Sequence, residues 1–195
     1  MRVKISGITN LEDALIAAEE GADAVGYVFY QGSPRFISPE AAFSINEQLP
    51  PFVEKVGIFA DGDAKFINKA IAVSGITLAQ IHFQATDQLY GSLVAPHLRV
   101  VVAQREADLD YLKDRYRLVD IFARTKARGG TPDLGWFDGR DCSKIILAGG
   151  LTPENVKETL PYGFYGVDVS SEVESAPGRK DREKIRAFIR AAKAC

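Results

Sequence analysis

Histidine and cysteine are nearly missing from this chain of 195 residues: His82, His97, Cys142 and Cys195 are all there are. So few cysteines, one of them the last residue, exclude a disulfide framework, and with so few histidines a transition metal finds no ligand set. No metal is expected. Long apolar runs are lacking too; none approaches the roughly 18 residues of a membrane span. The first ten residues, MRVKISGITN, have no apolar core behind their charges, so the protein is expected to be cytoplasmic and away from membranes. Nor is there an excess of positive charge. With 24 Lys and Arg against 26 Asp and Glu, the formal net charge is -2, which removes the basic footprint that nucleic acid requires. No linker interrupts the chain. What remains, 46% hydrophobic and 26% charged residues, is the composition of a globular protein, and residues 1–195 are expected to form one domain.

The pattern is an alternation of apolar strands and amphipathic helices. Strands are predicted over residues 2–6, 23–29, 52–59, 78–82, 98–103 and 118–124, and in the apolar runs that open at Ile145 and Gly166. Between them, Leu11, Ala14, Leu15 and Ala18 sit at helical spacing and stop at Gly21. Ser38-Pro39-Glu40 supplies a cap and a first-turn proline. Helices are predicted over 63–73 and 107–116, with a weaker helical segment up to Val94. One more opens at Thr152, and one covers 180–194 with Ile185, Phe188, Ile189 and Ala192 on its buried face. Residues 126–142 show no sustained period and read as a loop with at most one helical turn. Eight strands alternating with six or seven helices predict an α/β fold, a single compact (β/α)8 TIM barrel with a shortened or missing helix after strand six.

The stretch KIILAGGLTPENV, residues 144–156, carries the first functional signal. An apolar strand ends at Gly149-Gly150 and a helix is expected to start at Thr152. Glycines let a ligand approach the backbone, and the free N-H groups of a helix start suit an anion. The next strand ends in Asp168, Ser170 and Ser171. Two such loops after the last two strands of a barrel are where a substrate phosphate is held. Other strand ends deliver Lys4 and Ser6, then Arg35, then Gln80 and His82, then Arg124 and Thr125.

The segments VKISGIT, GADAVGYVF, SPRFIS, KVGIFAD, AQIHF, ARGGT, ILAGGLTPENV and GVDVSSEVESAPGRKD, in this order, resemble the phosphoribosylanthranilate isomerases of tryptophan biosynthesis across nearly the whole chain. The resemblance implies a cofactor-free Amadori rearrangement of an aminosugar phosphate, in which a general acid opens the ribose ring and a general base moves a proton. It assigns Gly149, Gly150, Ser170 and Ser171 to the phosphate, Arg35 to the anthranilate carboxylate and Asp168 to the ribose hydroxyls. Gln80 and His82 match the strand-four pair of the family and are expected to bind substrate. The family's cysteine base falls on Ser6.

Its aspartic acid, with the strand drawn through VDIFART, falls on Thr125. Asp120 competes for that role, but at roughly 3.3 Å per residue it would lie about 16 Å below the strand end, too deep to act. Other departures are Phe83 and Glu172 for glycines and Pro132 for the last glycine of GGTG. With Ser6 and Thr125 at the two proton-transfer positions, the isomerase activity is expected to be weak, altered or lost. Asp168, His82, Lys4 or Asp133 would then take over proton transfer. The alternative is a non-catalytic barrel that binds a phosphorylated metabolite or a partner enzyme. The expected ligand is a phosphorylated small molecule, and the expected state a monomer or homodimer.

Overall fold

A computed structural model describes residues 1–127 and 132–194, with the backbone alone of residues 123, 124 and 127. Gly129, Gly130 and Thr131, and the side chain of Arg124, lie outside that description. Eight short strands rich in valine, isoleucine and leucine run parallel: β1 (Arg2–Ser6), β2 (Ala24–Val28), β3 (Glu54–Phe59), β4 (Leu78–Ile81), β5 (His97–Val102), β6 (Arg117–Asp120), β7 (Ile145–Ala148) and β8 (Gly166–Val169). Each pairs with the next, and β8 returns to β1, with Arg2 opposite Gly166 and Ile5 opposite Val169, so the sheet closes into a barrel. Alternate residues of a strand face opposite sides. The outward set, among them Ile5, Val25, Phe59, Ile81, Val119 and Val167, joins the helices in one large core. Inside the barrel a smaller apolar plug forms around Leu98, Leu118 and Ala148. Lys4, Ser6, Gln80 and Asp168 are buried as well, and they set the character of the floor above that plug.

Helices in the first half are regular. In α1 (Leu11–Glu19) the Asn10 side chain accepts from the Asp13 N-H, and in α2 (Pro39–Asn46) Ser38 accepts from Ala41 with proline in the first turn. In α3 (Ala64–Ser74) Asp63 caps one end and Gly75, at φ 67°, the other. The last helix, α6 (Arg182–Ala192), buries Ile185, Phe188, Ile189 and Ala192 as its spacing predicts.

The second half is trimmed. After β4 stands the one-turn α4 (Asp87–Gly91). The helix predicted over 107–116 is a 3-10 helix, Glu106–Asp110, that buries only Leu109. Beyond it Lys113, Asp114 and Arg115 are charged, Tyr111 and Tyr116 are exposed, and Leu112 takes a left-handed φ of 58°, so no buried apolar face extends the turn. No α-helix opens at Thr152 either. Thr152 and Asn155 form a side-chain-capped turn, followed by a 3-10 helix, Val156–Tyr162, that contains Pro161. A proline lacks the N-H that a longer helix needs.

Strand six is shorter than predicted, and the difference matters for the site. It ends at Asp120, because the Asp120 Oδ1 accepts the Phe122 N-H at 2.8 Å and turns the chain into α5 (Phe122–Ala127). The shortened helical connection expected after strand six is this α5 together with a 3-10 turn, Leu134–Phe137. Among the described residues no helix is long and apolar enough to cross a membrane.

Cys142 is buried between β6 and β7, and burial pushes its thiol up to about 11. Because the thiolate is the reactive form, a thiol reagent at mildly alkaline pH is expected to leave Cys142 unmodified in the native protein and to label it fully in denaturant. Mass spectrometry of the peptide containing Cys142 checks this.

Candidate active site

The C-terminal ends of the strands open on a cavity of about 260 Å³. One wall is built from the loops after β7 and β8. Gly149 and Gly150 adopt φ of 106° and 78°, a region open to glycine, and a Cβ on Gly149 would lie 2.3 Å from the Phe122 nitrogen. The amide N-H groups of Gly149, Gly150 and Ser170 donate to no described residue, and all three residues line the cavity with Ser171. This makes a cup of main-chain donors suited to an anion. The dipole of a following α-helix, expected from the sequence, does not contribute, since Thr152 and Asn155 turn the chain instead. Glu172 also lines the cavity, exposed, and its carboxylate accepts from the Ser171 hydroxyl at 3.1 Å.

A second wall is Arg35, in the loop after β2. Its Nε and Nη2 donate to the two carboxylate oxygens of Glu174 at 2.8 and 2.7 Å, a paired geometry that fixes the guanidinium plane. Glu174 opens the small hairpin of β9 (Glu174–Ala176) and β10 (Arg179–Lys180). Lys180, with no exposed side-chain surface, donates to Glu174 at 2.9 Å and to the Ser170 carbonyl at 2.9 Å. One lysine thus ties the anion cup to the support of Arg35. Burial pushes the Glu174 carboxyl up, but its hydrogen bonds and charge pairing with Arg35 and Lys180 outweigh this and hold it below the ordinary range. Burial lowers Lys180 despite Glu174, and the bond to Glu174 raises Arg35.

Glu174→Gln leaves Lys180 buried without its charge partner and is expected to cost about 3–5 kcal/mol, read by urea unfolding. The folded-state carboxyl titrates below its unfolded value. Its stabilising contribution is therefore complete above the ordinary carboxylate range and is lost as pH falls through the depressed folded value. The variant is expected to lose that part of the acid-side slope of stability against pH.

The floor is a buried cluster on β1 and β8. Lys4 Nζ lies 2.7 Å from Asp168 Oδ2 and 2.6 Å from Ser6 Oγ, and Ser6 Oγ donates to Asp168 Oδ1 at 2.6 Å. Parallel pairing of β1 with β8 sets Lys4 opposite Asp168, so the cluster follows from barrel closure. Across the cavity stand Gln80 on β4, whose Oε1 is buried with no partner among the described residues, and His82 just beyond it. His82 Nε2 is 3.4 Å from Asp120 Oδ2.

The structure therefore brings together Ser6, Arg35, Gln80, His82, Gly149, Gly150, Asp168, Ser170 and Ser171 around one cavity. It does not bring Thr125 there. That residue stands one helical turn past the strand, buried in α5, with its hydroxyl donating to the Gly149 carbonyl at 3.0 Å. The depth argument against Asp120 fails for the same reason: it assumed a strand running to residue 124, and Asp120 is the strand's last residue and lines the cavity. Asp133 does not line it. Two functional side chains escaped the sequence analysis altogether, Glu174 and Lys180. Both sit in the GVDVSSEVESAPGRKD segment, where opposite charges six residues apart across a proline-glycine turn were the available signal.

Comparison with known proteins agrees with this fold. Residues 3–191 match the family model described as N-(5'-phosphoribosyl)anthranilate (PRA) isomerase. A curated protein of that name from a Sulfurovum species is 53% identical over 194 residues, covering 99% of both chains, and one from a Nitratiruptor species is 51% identical with the same coverage. Among solved structures, the phosphoribosyl anthranilate isomerase of Thermus thermophilus superposes with a TM-score of 0.84 at 36% identity, over 98% of each chain. Another, in complex with reduced 1-(o-carboxyphenylamino)-1-deoxyribulose 5-phosphate, gives 0.85 at 37% identity over the full length of both.

Proposed function

The chain belongs to the N-(5'-phosphoribosyl)anthranilate isomerase family, and from that premise we propose that it catalyses the Amadori rearrangement of N-(5-phosphoribosyl)anthranilate in tryptophan biosynthesis. The observation that carries the reading is Asp120. A carboxyl group at the end of β6, oriented by the Phe122 amide on one oxygen and facing His82 on the other, lines the cavity on a different strand from the Ser6 cluster of β1 and β8. A general acid is needed there.

In this reading the cup of Gly149, Gly150, Ser170 and Ser171 holds the phosphate, and Arg35, held flat by Glu174, meets the anthranilate carboxylate. Asp120 gives a proton to the ribose ring oxygen as the C1-O bond breaks, leaving a C1=N iminium. A proton then leaves C2 on the side of Ser6 and Asp168, and the enolamine ketonises. Gln80 offers its unpartnered Oε1 to a substrate hydroxyl or N-H, where it gains the hydrogen bond it lacks.

The expectation of weak or lost activity loses its ground here. It rested on Ser6 and Thr125 standing at both proton-transfer positions; Thr125 instead supports the glycine turn, Asp120 stands at the cavity in its place, and Ser6 alone remains as a departure. The non-catalytic alternative rested on the same pair of substitutions. The wider reading is of a single-domain cytoplasmic enzyme needing no cofactor, monomeric or homodimeric. One structural relative consists of monomers generated from the dimeric isomerase of Thermotoga maritima.

The test is turnover. Purified protein given N-(5-phosphoribosyl)anthranilate, generated in situ, is expected to consume its fluorescence at about 1–10³ s⁻¹, the ordinary range for enzymes. Binding of the reduced carboxyphenylamino-deoxyribulose phosphate without any turnover would overturn the proposal in favour of a binding protein.

A further inference from the structure

The family resemblance places a cysteine base where this chain has Ser6, and a serine hydroxyl has no anion near neutral pH without help. The cluster beneath the cavity supplies that help. We infer that Ser6 is the residue that takes the C2 proton, as a relay to Asp168, with the Lys4 ammonium stabilising the charge that develops on Oγ. The inference rests on the isomerase reading above and deepens it.

Three contacts carry it. Ser6 Oγ donates its proton to Asp168 Oδ1 at 2.6 Å, so the acceptor is already in line. Lys4 Nζ donates to the same Oγ at 2.6 Å, where its positive charge stabilises the negative charge that develops on the oxygen during transfer. Lys4 also pairs with Asp168 Oδ2 at 2.7 Å, and the pair is buried on both sides. A serine that served only as a small polar strand residue would need neither a carboxylate nor an ammonium at hydrogen-bond distance. Ser6 and Asp168 both line the cavity, whereas Lys4 does not. Ser6 is therefore within reach of substrate, the direction of its hydrogen bond makes Asp168 the proton acceptor, and Lys4, away from the cavity, is a positioning residue.

The step balances. The C2-H bond of the iminium breaks and its proton passes to Oγ as the Oγ-H proton passes to Asp168. The electron pair left on C2 forms the C1=C2 bond, and the π pair of C1=N returns to nitrogen. Asp120, which lost a proton in ring opening, and Asp168, which gained one, exchange with solvent to restore the resting state. No free alkoxide forms, and no outside reactant is needed.

Because relay partners act as a unit, their losses do not add. Ser6→Ala and Asp168→Asn are each expected to lower kcat about 10²–10⁴-fold, and the double variant to be no slower than the worse single variant within about threefold. A Lys4→Met/Asp168→Asn pair, which removes both buried charges together, guards against misfolding of Asp168→Asn alone. Binding of the reduced carboxyphenylamino-deoxyribulose phosphate verifies an intact site in each.

The decisive arm is Ser6→Cys. A thiol titrates near pH 8.5 by itself, so Asp168→Asn is expected to cost less than about tenfold in the cysteine background. A merely structural Asp168 would cost the same in both. Equal losses in the two backgrounds, or Ser6→Ala within about threefold of wild type, overturn the relay and leave the isomerase reading standing. A wild-type protein that binds the analogue and turns nothing over sinks both.

Discussion

Asp120→Asn is expected to lower kcat for the isomerisation about 10²–10⁴-fold, the worth of a general acid, with a stability change of roughly 1 kcal/mol or less, as for substitutions outside a core. Asparagine keeps an oxygen to accept the Phe122 N-H and so preserves the turn into α5, but it has no proton to give the ring oxygen. The effect should fall on kcat and kcat/KM alike, because the interaction exists only in the transition state. Steady-state fluorescence kinetics with a parallel urea titration separate the two quantities. A variant with unchanged kcat removes Asp120 from the mechanism. The companion substitution Thr125→Asp, which the sequence alone recommends as a restoration, is expected to gain no activity and to lose stability. It places a carboxylate in the buried space under Gly149 and Gly150, where Thr125 Cγ2 lies 2.4 Å from a Cβ built on Gly150.

Gly149→Ala is the second large effect. At φ 106° any side chain is strained, and here the added methyl meets backbone: the Phe122 nitrogen at 2.3 Å and its Cα at 2.8 Å, with Asp120 Oδ1 at 2.7 Å. None of these is the free end of a flexible chain, so the loop after β7 has to move. Strain of this kind costs about 1–3 kcal/mol before the overlap is counted. The displacement also carries off two amides of the anion cup and pushes on the acid itself. Loss of substrate affinity and of kcat is expected together, with a lowered urea midpoint. An alanine variant that folds and turns over normally would show that the cup does not depend on this conformation.

The fold was legible because its determinants are local. Runs such as VKI, VGIF and IILA specify strands, Ser38-Pro39 and Asp63 specify helix starts, and their alternation admits one closed parallel arrangement. The end of strand six was not legible. VDIFART stays apolar across Ile121 and Phe122, so hydrophobicity does not mark where the strand stops. The mark is the Asp120 side chain folding back onto the amide two residues ahead, a capping interaction that period counting does not register.

In the site, residues that line the cavity at strand ends could be read from position and family likeness. Their supports could not. Arg35 and Glu174 are 139 residues apart in sequence, and the Ser6 contact to Asp168 spans 162. Such pairs exist only once the barrel is closed. The likeness to the family pointed to Ser6 as a deficit, and only the neighbours brought by β8 show what accompanies it.

That closure has a consequence for biosynthesis. The seam joins β1 to β8, which is synthesised more than four-fifths of this chain later. Until then Lys4 waits without its carboxylate, and a nascent chain holds seven strands as an open sheet with two bare edges. Contacts of such long separation form slowly, and unpaired edges invite association with other chains. The Lys4–Ser6–Asp168 cluster is thus among the last features of the molecule to come into being, and a polypeptide released short of residue 168 lacks both the seam and the carboxylate.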